Sequence, residues 1–277
     1  MIYRLPIIAL AVLGFVGAFV YAAPMVTKVS YDASAISTAR EFTEGRNEEK
    51  TIPVVPIADT RPVVTHVPMP KAVKAIYMSS CVAGTPSFRA DLVKLINETE
   101  VNSVVIDIKD YSGTISFKPT DPAWQPAWDN ARCGARDMAE FIKSLHDANI
   151  FVIGRMTVFQ DPFEAERRPQ WAVKKLDGVT TWRDGKGLAF IDVAATGYWD
   201  HIIKLVVDSY NIGFDEINFD YVRYPSDGNM TDISFVLSNQ SQYGRDKQAN
   251  LEAFFKYLNE KIDDEKLFAA VKHENTG

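Results

Sequence analysis

The residue types that could do chemistry sit at the ends of apolar runs. In GFDEINFDYVRYP (213–225), Glu216, Asn218 and Asp220 alternate with Ile217, Phe219 and Tyr221. Alternation of this kind puts the two sets on opposite faces of a strand. If the apolar set packs against helices, Asn218 and Asp220 point to the other side, with Asp220 at the end of the row. A carboxylate there is costly to bury unless it has partners or a task. VNSVVIDIKD (101–110) repeats the arrangement, with Val104, Ile106 and Ile108 on one face and Val105, Asp107 and Lys109 on the other. In NIFVIGRMTVF (149–159), Ile153, Arg155 and Thr157 share a face.

Brought to one rim, these residues suit the cleavage of a glycosidic bond, which needs one ionised and one protonated carboxyl group. Asp220 and Asp107 are the expected catalytic pair. Lys109 or Arg155 beside Asp220 would favour the ionised form that a nucleophile requires. Asn218, Tyr221 and Arg223 flank Asp220 and are expected to contact substrate. Trp124, Trp128, Trp171 and Trp182 fall in the loops after the second and third runs, and Trp182 is expected to stack on a sugar ring. A plainer reading stays open. Asp107 and Arg155 could form an internal ion pair and nothing more, and the tryptophans could pack their own loops.

The elements that must position these residues alternate. Apolar runs at 73–80, 101–110, 149–159, 213–225 and 267–273 are separated by helix-like stretches at 87–100, 135–148, 197–210 and 247–263. In the second of these, Met138, Phe141, Ile142 and Leu145 keep helical spacing. Strands alternating with helices predict a parallel sheet, in either an eight-stranded barrel or an open doubly wound sheet. No GxGxxG or GxxxxGK[ST] follows any run, so no nucleotide cofactor is expected, and the long loops favour the (β/α)8 barrel. Five strand–helix units of about 40 residues fill 71–277, whereas a complete barrel has eight. The expectation is the first five units of a TIM-type barrel.

Bulk properties narrow the partners. The net charge is −6, which argues against a nucleic-acid ligand. Arg4 precedes an apolar run to residue 23, the pattern of an export signal or an uncleaved membrane anchor. Residues 24–70 are rich in proline and charge and predict a disordered linker, with the globular domain beginning at Lys71. An exported chain in the cell envelope or outside it, touching a membrane only through its N-terminal segment, follows. Cys81 and Cys133 fall in loops on one face, where they could form a disulfide or stay as thiols. His66, His146 and His201 read as surface or helix histidines, and no CxxC pair or histidine cluster predicts a metal.

From about Val73 to Asp227 the chain resembles the putative glycosyl hydrolase domain family of bacterial and archaeal barrels. VKAIYMSS is similar to its opening strand, VNSVVIDIKDYSGTISF to its Asp-Ile-Lys-Asp segment, and GFDEINFDYVRYPSDG to its most distinctive motif. TWRDGKGLAFIDVAATGYWDHI looks like its Trp-Arg and Leu-Asp segments, which adds Asp192 to the expected substrate contacts. The resemblance implies kinship with retaining α-glycosidases, Asp220 as nucleophile and a polysaccharide or oligosaccharide substrate. The family's fifth strand ends in Ala-Asp-aliphatic-Phe-Gly, whereas here AAVKHENTG lacks that Asp. The general acid is then expected on a further strand, and a chain without one would bind carbohydrate or be a decayed enzyme.

Overall fold

The β-branched run of 103–108 and the apolar run of 151–156 are committed to strand by side chains that fit a pleated surface covered on both sides. The computed structural model describes residues 64–264, and there these runs form the middle of one four-stranded parallel sheet. Its strands are β1 (Ala75–Met78), β2 (Ser103–Lys109), β3 (Phe151–Thr157) and β4 (Glu216–Asp220), hydrogen-bonded in chain order. Each crossover carries helix: α1 (Ser80–Ala83) and α2 (Pro86–Asn97), then α3 (Gln125–Asp129) and α4 (Met138–Asp147), then α5 (Pro162–Arg167) and α6 (Thr196–Asn211). After β4 come α7 (Val236–Gln240) and α8 (Lys247–Asp264). Among the described residues the strand order does not reverse, so these four strands contain no switch point of the doubly wound kind, and the α/β class stands. The run at 267–273, expected as a fifth strand, lies outside the described residues, as do 1–63 with the expected signal and most of the linker.

One side of the sheet is the core. Ile76, Met78, Val104, Ile106, Ile108, Val152 and Met156 pack there against Met138, Phe141, Ile142 and Leu145 of α4 and Tyr198, Ile202, Leu205 and Val206 of α6. Gly154 is required at the centre of β3. A Cβ on it would lie 2.1 Å from the Ile108 Cδ1 atom and 2.9 Å from the Phe214 ring. Fully burying each of these aliphatic side chains contributes roughly 1.5–3 kcal/mol. That layer fixes the register, and hence which residues face the other side.

The domain begins earlier than Lys71. Residues 64–70, expected in the linker, lie against the sheet, and Val67 packs on Phe151, Ile153 and Val105. Asp215, just before β4, holds this segment by accepting bonds from the Val67 and Val152 amides, each at 2.8 Å, and from His66 and His146. His66 also stacks on Tyr210. These histidines are therefore partners of a buried carboxylate, and the prolines alone misled because an extended segment can dock without forming any regular element.

Candidate active site

At the carboxyl ends of the strands, Arg155 stands between two acids. Its Nε and Nη2 donate to Asp220 Oδ2 at 2.8 and 2.7 Å, and its Nη1 donates to Asp107 Oδ1 at 2.8 Å. Register explains the convergence, since Arg155 pairs with Asp107 on β2 and with Asn218 on β4, one alternation below Asp220. The Tyr77 hydroxyl, from β1, donates to the other oxygen of Asp107. The two acids differ in access. The Asp107 side chain is 4% exposed and the Asp220 side chain 41%.

The electrostatics follow from burial and bonding. Burial pushes the Asp107 carboxyl above the ordinary carboxylate range, opposed by the bonds from Tyr77 and Arg155. Burial, then the bond to Asp107, raises the Tyr77 phenol to about 12, so it remains a donor. Burial alone would lower the Arg155 guanidinium, but its bonds to Asp107 and Asp220 raise it, which keeps it charged.

Immediately after Asp220 the backbone turns sharply. Tyr221 has φ +54°, a left-handed conformation that costs a bulky residue about 1–3 kcal/mol. Its amide donates to Asp220 Oδ1 at 2.6 Å. Arg155 and Tyr221, the two residues bonded to the Asp220 carboxylate, line a cleft of about 720 Å³, whose walls also include Tyr77, Asp107, Asp110, Tyr111, Gln160 and Arg223.

Residues 75–272 match the family described as "putative glycosyl hydrolase domain". The chain belongs to this family. Among solved structures it is similar to a hypothetical protein from Ruminiclostridium thermocellum ATCC 27405, with 30% identity, 67% of this chain and 92% of that chain covered, and a TM-score of 0.58. Weaker likenesses are to a GH31 α-xylosidase from a soil metagenome complexed with xylose (13% identity, 67% of this chain, 27% of that chain, TM-score 0.44) and to an α-galactosidase from Lactobacillus brevis (13%, 70%, 25%, 0.41). This chain therefore spans about a quarter of the length of those two enzymes. No curated protein matches.

In this glycosyl hydrolase domain Asp107, Arg155, Tyr221 and Arg223 line one cleft, Asp220 adjoins it through its bonds to Arg155 and the Tyr221 amide, and Asn218 lies exposed on the same face of β4. Three of the expected site residues are elsewhere. Lys109 is fully buried, donating to the Thr157 carbonyl at 2.7 Å and pairing with Asp161 at 3.0 Å. The β2–β3 register shifts between Asp107 and Lys109, and that irregularity turns Lys109 away from the row that holds Asp107. Asp192 is also fully buried and accepts bonds from the Leu237 and Ser238 amides and the Ser238 hydroxyl, which tie α7 to the 190–195 loop. Trp182, 1% exposed, packs on Val173 and Phe190 and donates to the Asn229 carbonyl.

The other tryptophans do not line the cleft either. Trp124 is buried against His201, Trp171 packs on Tyr198, and Trp128 lies beside a disulfide between Cys81 and Cys133, whose Cα atoms are 4.7 Å apart. The aromatic walls are Tyr77, Tyr111, Phe190 and Tyr221. Tyr77 was legible as the inward residue of the first strand, but its bond to Asp107 depends on β1 pairing with β2. Gln160, 5% exposed, lines the cleft with no side-chain partner among the described residues, and no sequence signal marks it. Among the described residues no cluster of three or more His, Cys, Asp or Glu could hold a metal.

Proposed function

We propose that this domain hydrolyses glycosidic bonds of an extracellular or envelope polysaccharide, with Asp220 as the nucleophile. The observation that carries the reading is the contrast between two acids on one arginine. The Asp220 side chain is 41% exposed beside the cleft and is held by the strained Tyr221 turn, whereas Asp107, on the cleft wall, is locked between Tyr77 and Arg155. Asp220 attacks the anomeric carbon, the bond to the leaving sugar oxygen breaks, and that oxygen takes a proton from a second carboxyl group. Water then releases the glycosyl group. Arg155 keeps its geometry throughout, because Asp107 and Tyr77 fix it from behind. Gln160 offers an amide, and Tyr111 and Tyr221 offer ring faces, to the hydroxyls and apolar faces of the sugar. The Cys81–Cys133 disulfide supports an exported location, where such bonds persist. No helix among the described residues is long and apolar enough to cross a membrane.

One observation favours a second reading, a barrel that binds carbohydrate without cleaving it. Among the described residues, the only acid sharing Arg155 with Asp220 is the locked Asp107. Turnover of a panel of aryl glycosides by the wild-type chain and by Asp220→Asn decides between them. The nucleophile reading expects turnover that falls at least about a thousandfold in the variant while binding survives. Sugar binding with no turnover in the wild type would leave the binding barrel.

A further inference from the structure

Cys81 lines both the cleft that holds Asp107 and Arg155 and a neighbouring cavity of about 400 Å³. The disulfide is therefore a wall shared by two hollows on one rim. The second hollow is closely built. A Cβ on Gly84 would lie 2.5 Å from the Gly134 carbonyl oxygen, and one on Gly134 would lie 2.6 Å from Trp128 Cζ3. Only bare backbone at both positions lets the two loops meet and brings the Trp128 indole beside the disulfide. Trp128 packs part of its surface on the core and leaves part open. A partly open indole is a flat apolar platform for a sugar ring.

The charges around this hollow are unusual for an acidic chain. Arg132 and Arg136 both line it, both are exposed, and neither has an ion-pair or hydrogen-bond partner among the described residues. Asp137, next in sequence to Arg136, is taken by Arg89, and Asp129 accepts from Gln125. With 36 acidic side chains against 30 basic ones, two unpaired arginines in one hollow are not explained by a shortage of carboxylates. On the far flank, Lys186 and Arg223 line the cleft together with Asp184 and Asp227. Strand order separates the two flanks, because Cys81 follows β1 and Arg223 follows β4, at opposite edges of the sheet. A polymer laid across the rim would meet Lys186 and Arg223, then the cleft wall beside Asp220, then Trp128 with Arg132 and Arg136. Guanidinium groups match carboxylate and phosphate oxygens through paired N–H donors.

From this we infer that the substrate is an acidic polysaccharide, with carboxylate- or phosphate-bearing units, and that the hollow across the disulfide holds one of those units. The inference rests on the glycosidase reading for the cleavage site but on separate residues for the charge preference. The test uses the full chain carrying Asp220→Asn and hexasaccharides of one backbone in neutral, uronate-containing and phosphorylated forms, with affinities measured by calorimetry. At least one charged form should bind roughly tenfold more tightly than the neutral one, as expected for charge-assisted bonds at a partly exposed site. Adding Arg132→Gln and Arg136→Gln should remove that preference and leave neutral affinity in place, with unchanged circular dichroism showing that the fold is kept. Trp128→Ala should weaken all three ligands. The charged form that gains more names the acidic group. Equal affinities, a preference that survives in the double Gln variant, or no binding by any of the three would overturn the inference. Failure of the glycosidase reading shows separately, as absence of turnover by the wild-type chain.

Discussion

Asp107→Asn separates a residue that positions Arg155 from one that reacts. Asn keeps the shape and can still accept one bond from Arg155, but the charge and one strong acceptor are lost. Removing one member of a fully buried ion pair costs about 3–5 kcal/mol. Here Arg155 is 24% exposed and keeps Asp220, so the lower figure for a lost charge-assisted bond applies, about 1.5–3 kcal/mol. Urea unfolding should therefore show Asp107→Asn less stable by about 2 kcal/mol. A less firmly held Arg155 should lower kcat/KM by roughly tenfold, equivalent to about 1.4 kcal/mol of transition-state stabilisation. Asp220→Asn should show the reverse pattern, with turnover lost and stability nearly unchanged, because its side chain is 41% exposed. The assay pairs urea midpoints with kcat/KM on the best aryl glycoside. An Asp107→Asn protein as inactive as Asp220→Asn, yet as stable as the wild type, would instead make Asp107 a reacting group.

Lys109→Met should destabilise the domain by about 3–5 kcal/mol, since Asp161 is left buried without its cation, and KM of the folded protein should not change. Urea unfolding and steady-state kinetics check both parts. Cys81→Ser should cost about 4 kcal/mol, because the bond closes a loop of sequence separation 52, and differential scanning calorimetry would show the lowered Tm. Asp215 carries an acid dependence. Burial by itself would raise its pKa, but the bonds from His146, His66 and the Val152 and Val67 amides hold it below the usual value. A depressed carboxyl contributes stability that is present above its unfolded pKa of about 4 and is lost as pH falls through the lower folded value. Asp215→Asn should therefore flatten the wild type's loss of stability below about pH 4, measured by urea midpoints across pH.

The local sequence determined the alternation of strand and helix, because periods of two and 3.6 are written by the apolar residues alone. It also placed Asp107, Arg155 and Asp220 on one face, since in each strand the alternate positions are apolar or glycine and face the helices. It did not determine which polar residues reach the cleft. Lys109 obeys the same alternation as Asp107 but leaves the row at an irregularity of β2 against β3, a feature of strand pairing that no single strand reveals. Asp192 and Trp182 have the composition of a sugar site, yet they hold loops together, because bonding to Ser238 and packing on Val173 and Phe190 join segments distant in the chain. The locked state of Asp107 likewise needs Tyr77 from one neighbouring strand and Arg155 from the other. Residue periodicity fixes direction within an element, whereas access, partners and charge state depend on what the other elements bring. In this protein that difference decides which of two similar aspartates is buried between partners and which is partly exposed.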